Sequence, residues 1–250
     1  MTGATIISFR KVSRAFGDKV VLDAVDLDVL AGEVLVILGG SGSGKSVSLR
    51  LMNGLDRPDE GAVVVNGTDI THLSEEELVP TRRKVGMLFQ GGALFDSMSV
   101  FENIAFPLWE HTAMTDPEIR ERAVEVLGFV DLGPEVLPLL PASLSGGMKK
   151  RVSLARTISL KPDVLLYDEP TTGLDPVTSM TINRLLKDLN ERLSTTSVVV
   201  THDITTALFV ADRIAFLKEG RFAFVGTREE AVASAVPELR AFFEAGGTPK

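Results

Sequence analysis

The pattern of apolar and polar positions changes character along the chain. Residues 1 to about 70 carry short alternating runs, such as Ile6-Ile7-Ser8-Phe9 and Ala62-Val63-Val64-Val65. Turn signals at Phe16-Gly17-Asp18 and Asn66-Gly67 punctuate them, so this stretch predicts an antiparallel sheet. Four other runs are continuously apolar: Val34-Leu35-Val36-Ile37-Leu38, Val85-Gly86-Met87-Leu88-Phe89, Val164-Leu165-Leu166-Tyr167 and Ser197-Val198-Val199-Val200. Runs of this kind suit strands covered on both faces, as in a parallel sheet. Between about residues 92 and 160 the pattern turns helical. Asp116-Pro117-Glu118 reads as a cap followed by proline at the first helical position, and Ile119, Ala123, Val126 and Leu127 give that helix an apolar face. A hairpin is expected at Glu219-Gly220-Arg221, then a helical stretch ending near Ala245.

Each of the four buried runs ends in polar groups: a glycine-rich loop, Gln90, Asp168-Glu169, and Thr201-His202-Asp203. Ligands of open parallel sheets bind beyond the carboxyl ends of the strands, so the pattern builds a site. The loop Gly39-Gly40-Ser41-Gly42-Ser43-Gly44-Lys45-Ser46 fits G-x-x-x-x-G-K-[ST], with a buried strand before it and an expected helix, Val47 to Met52, after it. Glycines allow the backbone to aim successive N–H groups inward at an anion, and the helix start adds partial positive charge. Lys45 would reach the outer phosphates of a nucleotide, and the Ser46 hydroxyl can ligate Mg²⁺. At the end of the third run, Asp168 can hold Mg²⁺, and Glu169 can orient or deprotonate a water.

Composition narrows the partners. The 250 residues hold 44% hydrophobic positions and a formal net charge of -8, which argues against a nucleic-acid coat, since that relies on Lys and Arg. There is no cysteine, so neither disulfides nor thiolate chemistry arise. Met1 to Arg10 has no apolar core of signal-peptide length, and no apolar run reaches the roughly 18 residues needed to cross a bilayer. The expectation is a chain that is soluble by itself and cytoplasmic, with any membrane role supplied by a partner.

A second anion site lies at Leu144-Ser145-Gly146-Gly147-Met148, ahead of the helical run 149–156. A Ser-Gly-Gly helix start offers a hydroxyl and N–H donors. It is either a well-capped helix or a site for a nucleotide held by another copy of the chain.

With these motifs in this order, the sequence resembles the nucleotide-binding subunits of ABC transporters over nearly its whole length. The motifs are 39–46, Gln90, the signature 144–148, Asp168-Glu169, Gly173-Leu174-Asp175 and His202. The resemblance implies an α/β fold of the P-loop ABC-ATPase type: a mostly parallel core sheet, an N-terminal antiparallel β-subdomain and an inserted helical subdomain. All 250 residues would form one nucleotide-binding domain, with 1–91 and 161–250 as core and β-subdomain and 92–160 as the helical part. It implies ATP hydrolysis with Mg²⁺, and two copies paired head to tail. ATP would lie between 39–47 of one copy, from Gly39 to Val47, and Ser145, Gly146 and Gly147 of the other. Phe16 would stack on adenine and Gln90 would touch Mg²⁺ and the attacking water. Glu169 would be the catalytic base, His202 would contact the terminal phosphate, and Asp175 would lie at the dimer seam. One residue departs: Met148 stands where the signature usually ends in glutamine, so any bond from that amide is missing.

The segment from Gln90 to Leu108, and Leu-Ser-Gly-Gly-Met-Lys-Lys-Arg at 144–151, are similar to the ATPases of Mla/Mce lipid-transport systems. That resemblance implies an integral membrane permease as partner, a peripheral place on the cytoplasmic face of the inner membrane, and phospholipid or a related hydrophobic cargo. An Mce-type lipid-binding protein and a small accessory protein would complete the assembly, with no nucleic acid. Leu94, Phe95 and Phe101 would either meet the permease or belong to the core of the helical part. The alternatives are a polar-solute importer of the amino-acid type and a soluble ABC protein outside transport.

Overall fold

The computed structural model describes residues 3–245. The first two strands, β1 (Thr5–Phe16) and β2 (Lys19–Leu30), lead to β3 (Val34–Leu38) and then α1 (Lys45–Met52). Next come β4 (Glu60–Val65), β5 (Thr68–Asp69), α2 (Glu75–Lys84) and β6 (Val85–Leu88). Three helices follow, α3 (Val100–His111), α4 (Asp116–Phe129) and α5 (Gly146–Ile158). The chain then returns through β7 (Val164–Asp168), α6 (Pro176–Leu193), β8 (Thr196–Thr201) and α7 (Ile204–Val210). It finishes with β9 (Arg213–Lys218), β10 (Arg221–Thr227), α8 (Arg228–Val232) and α9 (Pro237–Ala245). Residues 1–2 and 246–250 of the expected core division lie outside the described residues.

Two sheets result. The first is antiparallel, in the order β2-β1-β4-β5. Its Asn66-Gly67 turn has φ of 50° and 75°, the left-handed pair that lets two strands reverse in two residues. The second runs β10-β9-β3-β8-β7-β6 and is parallel from β9 to β6, with β10 antiparallel at one edge. The four continuous apolar runs are four of its strands. The fifth parallel strand, β9, was expected only as one arm of a hairpin. Its buried stretch Ile214–Leu217 is as long as the run in β7, but it runs through Lys218 straight into the Glu219-Gly220 turn, whose hairpin signal claimed it.

Strand alternation divides the core. Leu35, Ile37, Leu166 and Val198 point to one face, where α1 and the antiparallel sheet cover them. Val36, Leu38, Leu165, Tyr167 and Val199 point to the other, where α5, α6, α7 and the helical segment cover them. Each buried aliphatic side chain contributes roughly 1.5–3 kcal/mol. Because both faces are covered, the strands can hold apolar residues at every position.

Local chemistry sets the helix starts. The cap of α4 is Thr115, not Asp116, and Pro117 stands at the second helical position. The Glu118 carboxylate accepts from the Thr115 N–H and hydroxyl, at 2.7 Å each, so the box with its partner three residues on outcompetes Asp116. Ser99 and Glu102 build the same box at α3. Helix α1 begins at Lys45, two residues before the expected start.

At the opposite end of the sheet from the site, Glu33 accepts from the Leu30 N–H at 2.8 Å and from Arg213 at 2.9 Å. Burial pushes the Glu33 carboxyl above its usual range, even against the neighbouring guanidinium. The pair fastens β9 to the entry of β3. Replacing Arg213 by methionine leaves that carboxylate buried without its cation, and is expected to cost about 3 kcal/mol of stability. Urea unfolding measures it, and a loss below about 1 kcal/mol would show the pair to be dispensable.

Candidate functional site

The site forms where β3, β6, β7 and β8 end. Leaving β3, residues 39–44 loop over the sheet edge and enter α1. Gly42 and Gly44 have φ of 74° and 108°, and Gly44 directly precedes α1. A Cβ on Gly44 would meet Val21 at 2.9 Å, and one on Gly39 would sit 2.5 Å from the Leu217 carbonyl oxygen. Glycine is thus required here both by backbone conformation and by close approach to β2 and β9. The Lys45 side chain folds back across the loop and donates to the Gly39 and Gly40 carbonyls, at 2.9 Å each. Its ammonium also lies 3.7 Å from Glu169. Burial lowers the Lys45 pKa, opposed by Glu169 and Asp168.

Two elements far apart in sequence meet at Ser46, whose hydroxyl donates to Asp168 at 2.8 Å. Burial raises the Asp168 pKa, the Ser46 bond opposes this, and Glu169 adds to it. A hydroxyl and a carboxylate converging at the start of α1 form a hard, all-oxygen donor set, which fits Mg²⁺. Among the described residues, no cluster of three His, Cys, Asp or Glu could hold a metal alone. Nucleotide oxygens and water would have to complete the shell.

Glu169 is the strained member. Its φ of 47° is left-handed, which costs a non-glycine residue about 1–2 kcal/mol. Its N–H donates to the Val200 carbonyl at 3.0 Å, which fixes that turn. One carboxylate oxygen meets His202 Nδ1 at 2.8 Å, and the other accepts from Thr172 and Thr201 at 3.3 Å. Asp203 caps α7 and sets the direction in which His202 leaves β8. Gln90 is exposed just beyond β6, and its backbone carbonyl accepts from the buried Lys150 ammonium. Phe16 is exposed at the end of β1, with the Arg14 guanidinium 4.6 Å above one ring face.

The Ser-Gly-Gly helix start lies elsewhere. Ser145 caps α5 by accepting from the Met148 N–H at 3.3 Å. With Gly146, Gly147 and Asp175 it lines a cleft of about 370 Å³ whose other walls are Arg151 and α6. Asp175 caps α6 and accepts from Thr178 at 2.5 Å, and these bonds hold its carboxyl below the usual range. None of residues 39–46 lines that cleft. The Met148 side chain packs against the apolar core, so an apolar residue has a place there. Leu94 and Phe101 also pack on the core, while Phe95 is exposed.

Lys150, Thr172 and Arg14 touch site residues without having been expected there, and Thr201, expected only as a strand-end polar group, donates to Glu169. Lys150 had a signal: it lies four and eight residues before Leu154 and Ile158, on the buried row of α5.

A phosphate-cradling loop, a hydroxyl–carboxylate pair for a cation and a fixed carboxylate beside them are the working parts of a P-loop nucleoside-triphosphate hydrolase. Comparisons with known proteins agree. The family described as "ABC transporter" matches residues 22–172. The probable ribonucleotide transport ATP-binding protein mkl of Mycobacterium leprae is 42% identical over 94% of this chain, which spans 68% of that protein. The chain spans 66% of the Mycobacterium tuberculosis counterpart, so about a third of those relatives lies beyond it. The intermembrane phospholipid transport system ATP-binding protein MlaF of Haemophilus influenzae is 40% identical over 92% of this chain and 86% of its own length. A dimeric post-hydrolysis structure of the ATP-binding cassette MJ0796, bound to ADP and Pi, superposes with a TM-score of 0.82. It is 36% identical and covers 89% of this chain and 99% of its own. The chain belongs to the ABC transporter family and is an ATP-hydrolysing subunit of it.

The contact at Gly39 can be checked directly. Gly39→Ala forces a methyl onto the Leu217 carbonyl and should cost about 1–3 kcal/mol, seen as a lower Tm. An unchanged Tm would mean that β9 yields freely.

Proposed function

We propose that two copies of this chain pair head to tail around ATP and energise a separate permease that moves phospholipid or a related hydrophobic compound. The observation that carries the pairing is the separation of the two anion sites. The Ser145 cleft shares no lining residue with the phosphate loop, which supports a Ser-Gly-Gly helix start serving an ATP held by a second copy.

In this reading the loop N–H groups of 39–47 and Lys45 bind the phosphates, and Phe16 stacks on the base through the face that Arg14 leaves open. Ser46, Asp168 and Gln90 would hold Mg²⁺, which would neutralise charge on the phosphate oxygens. Glu169, oriented by His202, Thr172 and Thr201, takes the proton of a water attacking the terminal phosphorus. The bond to the leaving phosphate oxygen breaks, giving ADP and phosphate. His202 contacts the terminal phosphate, and Asp175 lies at the seam beside Ser145, Gly146 and Gly147. Residues 92–160 act as the helical part that brings the signature to the partner's nucleotide, and 1–91 with 161–250 as the core and antiparallel β-subdomain.

The cargo reading rests on similarity to MlaF along most of both chains and on the segments 90–108 and 144–151. Similarity to a probable ribonucleotide transporter subunit favours the polar-solute alternative. Among the described residues no helix is long and apolar enough to cross a membrane, so in this reading a permease supplies the path.

Glu169→Gln should bind ATP yet lower kcat by at least about 100-fold. Phosphate-release kinetics test this, and near-normal turnover would remove Glu169 from its role. Ser145→Arg should abolish ATP-driven dimerisation of the Glu169→Gln chain in light scattering, and a persisting dimer would refute the shared site. Glu169→Gln chain purified from its membranes with ATP should bring a permease, an Mce-type protein and phospholipid, identified by mass spectrometry. A polar-solute permease would discard the cargo, and soluble partners alone would overturn the transporter reading.

A further inference from the structure

Helix α5 does more than begin at Ser145. One of its sides runs along β6 and the loop that follows, and its side chains occupy that loop's backbone acceptors. The buried Lys150 ammonium donates to the Gln90 carbonyl. Arg156 donates to the Ala93 carbonyl at 2.8 Å and to Gly92 at 3.2 Å. Gly92, at φ of 78°, lies so close that a Cβ would stand 2.8 Å from the Ser153 hydroxyl. On its outer side the loop is tied to α3: the Phe95 N–H donates to Asn103 at 2.8 Å, and the Asn103 amide donates back to Phe95 at 3.1 Å. Loop 90–95 is therefore fastened to helices, although it emerges from a strand of the parallel sheet.

Lys150 is the costly part of this fastening. It is 7% exposed, and burying an ammonium is costly unless hydrogen bonds or a counter-charge offset the lost solvation. Burial lowers its pKa, while Asp168 and Glu169 oppose this, so the ammonium stands within electrostatic reach of both. That cation grips the Gln90 backbone from the helix that carries Ser145.

We infer that Lys150 is a positioning residue for hydrolysis: its bond to the Gln90 carbonyl makes loop 90–95 move with α5, so that Gln90 and Ser145 reach their stations together. The role assigned to Gln90 rests on the reading proposed above, whereas the tether itself does not.

Hydrogen exchange and steady-state kinetics on the full chain test it, with Lys150→Met and Lys150→Gln. Without nucleotide, Lys150→Met should speed exchange of the amides of 91–95 at least about tenfold, leaving β7 and β8 unchanged. Its kcat for ATP should fall about tenfold with KM within about twofold of the parent. Lys150→Gln, which keeps a neutral donor for the same carbonyl, should restore most of the protection and remains informative if the methionine variant folds poorly. Unchanged exchange at 91–95 would overturn the tether. Acceleration spread evenly over the sheet would reduce Lys150 to a general packing role and overturn it equally. A local acceleration with unaltered kcat would overturn the link to hydrolysis. Because the exchange arm uses no nucleotide, a parent chain that failed to hydrolyse ATP would discredit the proposed function without touching this result.

Discussion

Four buried charges at the carboxyl edge of the parallel sheet constrain the rest of the molecule. Lys45, Lys150, Asp168 and Glu169 are each less than a tenth exposed. Removing an ion from water costs several kcal/mol after relaxation, and only close pairing and hydrogen bonds offset it. Two ammonium groups and two carboxylates balance formally, and every one has a fixed partner. Lys45 has the Gly39 and Gly40 carbonyls, Asp168 has Ser46, Glu169 has His202 and two threonines, and Lys150 has Gln90. Those partners lie on the loop after β3, at the start of α1, just beyond β6 and β7, and at the end of β8. The sheet must therefore be parallel at this edge, and its registers must bring strand ends 38, 88, 168 and 201 together.

The left-handed turn at Glu169 follows from the same constraint. A carboxylate continuing the direction of β7 would leave the edge, whereas the turn returns it toward Lys45 and His202. The Val200 carbonyl holds that turn through the Glu169 N–H, so pairing between β7 and β8 stabilises the strained residue. At Glu169 the strained backbone belongs to a residue bonded through its N–H and both carboxylate oxygens.

Much of this was legible in the sequence because periodicity and glycine chemistry are local. Continuous apolar runs announced β3, β6, β7 and β8, since a strand covered on both faces has no polar positions. The phosphate loop was legible because only glycine tolerates the angles and approaches at 39 and 44. What failed was competition between neighbouring signals. Asp116 and Thr115 both suit a cap, and Glu118 decided between them by its distance along the helix. The β9 strand leads directly into the Glu219-Gly220 turn, so its hairpin partnership with β10 masked its parallel pairing with β3. Lys150 was hidden in a basic run, where its solvated neighbours Lys149 and Arg151 suggested a wet face. Phe16 was the opposite case, a lone aromatic that would ordinarily be core but is exposed, with its reverse face taken by Arg14.

The helix that carries Lys150 explains how distant parts of the chain can be held to one another. Its 13 residues span about 20 Å at 1.5 Å per residue. Ser145 caps one end, Lys150 grips the Gln90 backbone near the middle, and toward the other end the Arg156 guanidinium lies 5.6 Å from the exposed Phe95 ring. Val152, Leu154, Ala155 and Ile158 pack into the core and keep the helix from sliding along its axis. A backbone hydrogen-bonded at every turn does not stretch, so a small rotation of α5 displaces all three contacts at once. The Ser145 cap, the loop bearing Gln90 and the exposed Phe95 edge thus all rest against one rigid rod, and none of them can shift far while the others stay in place.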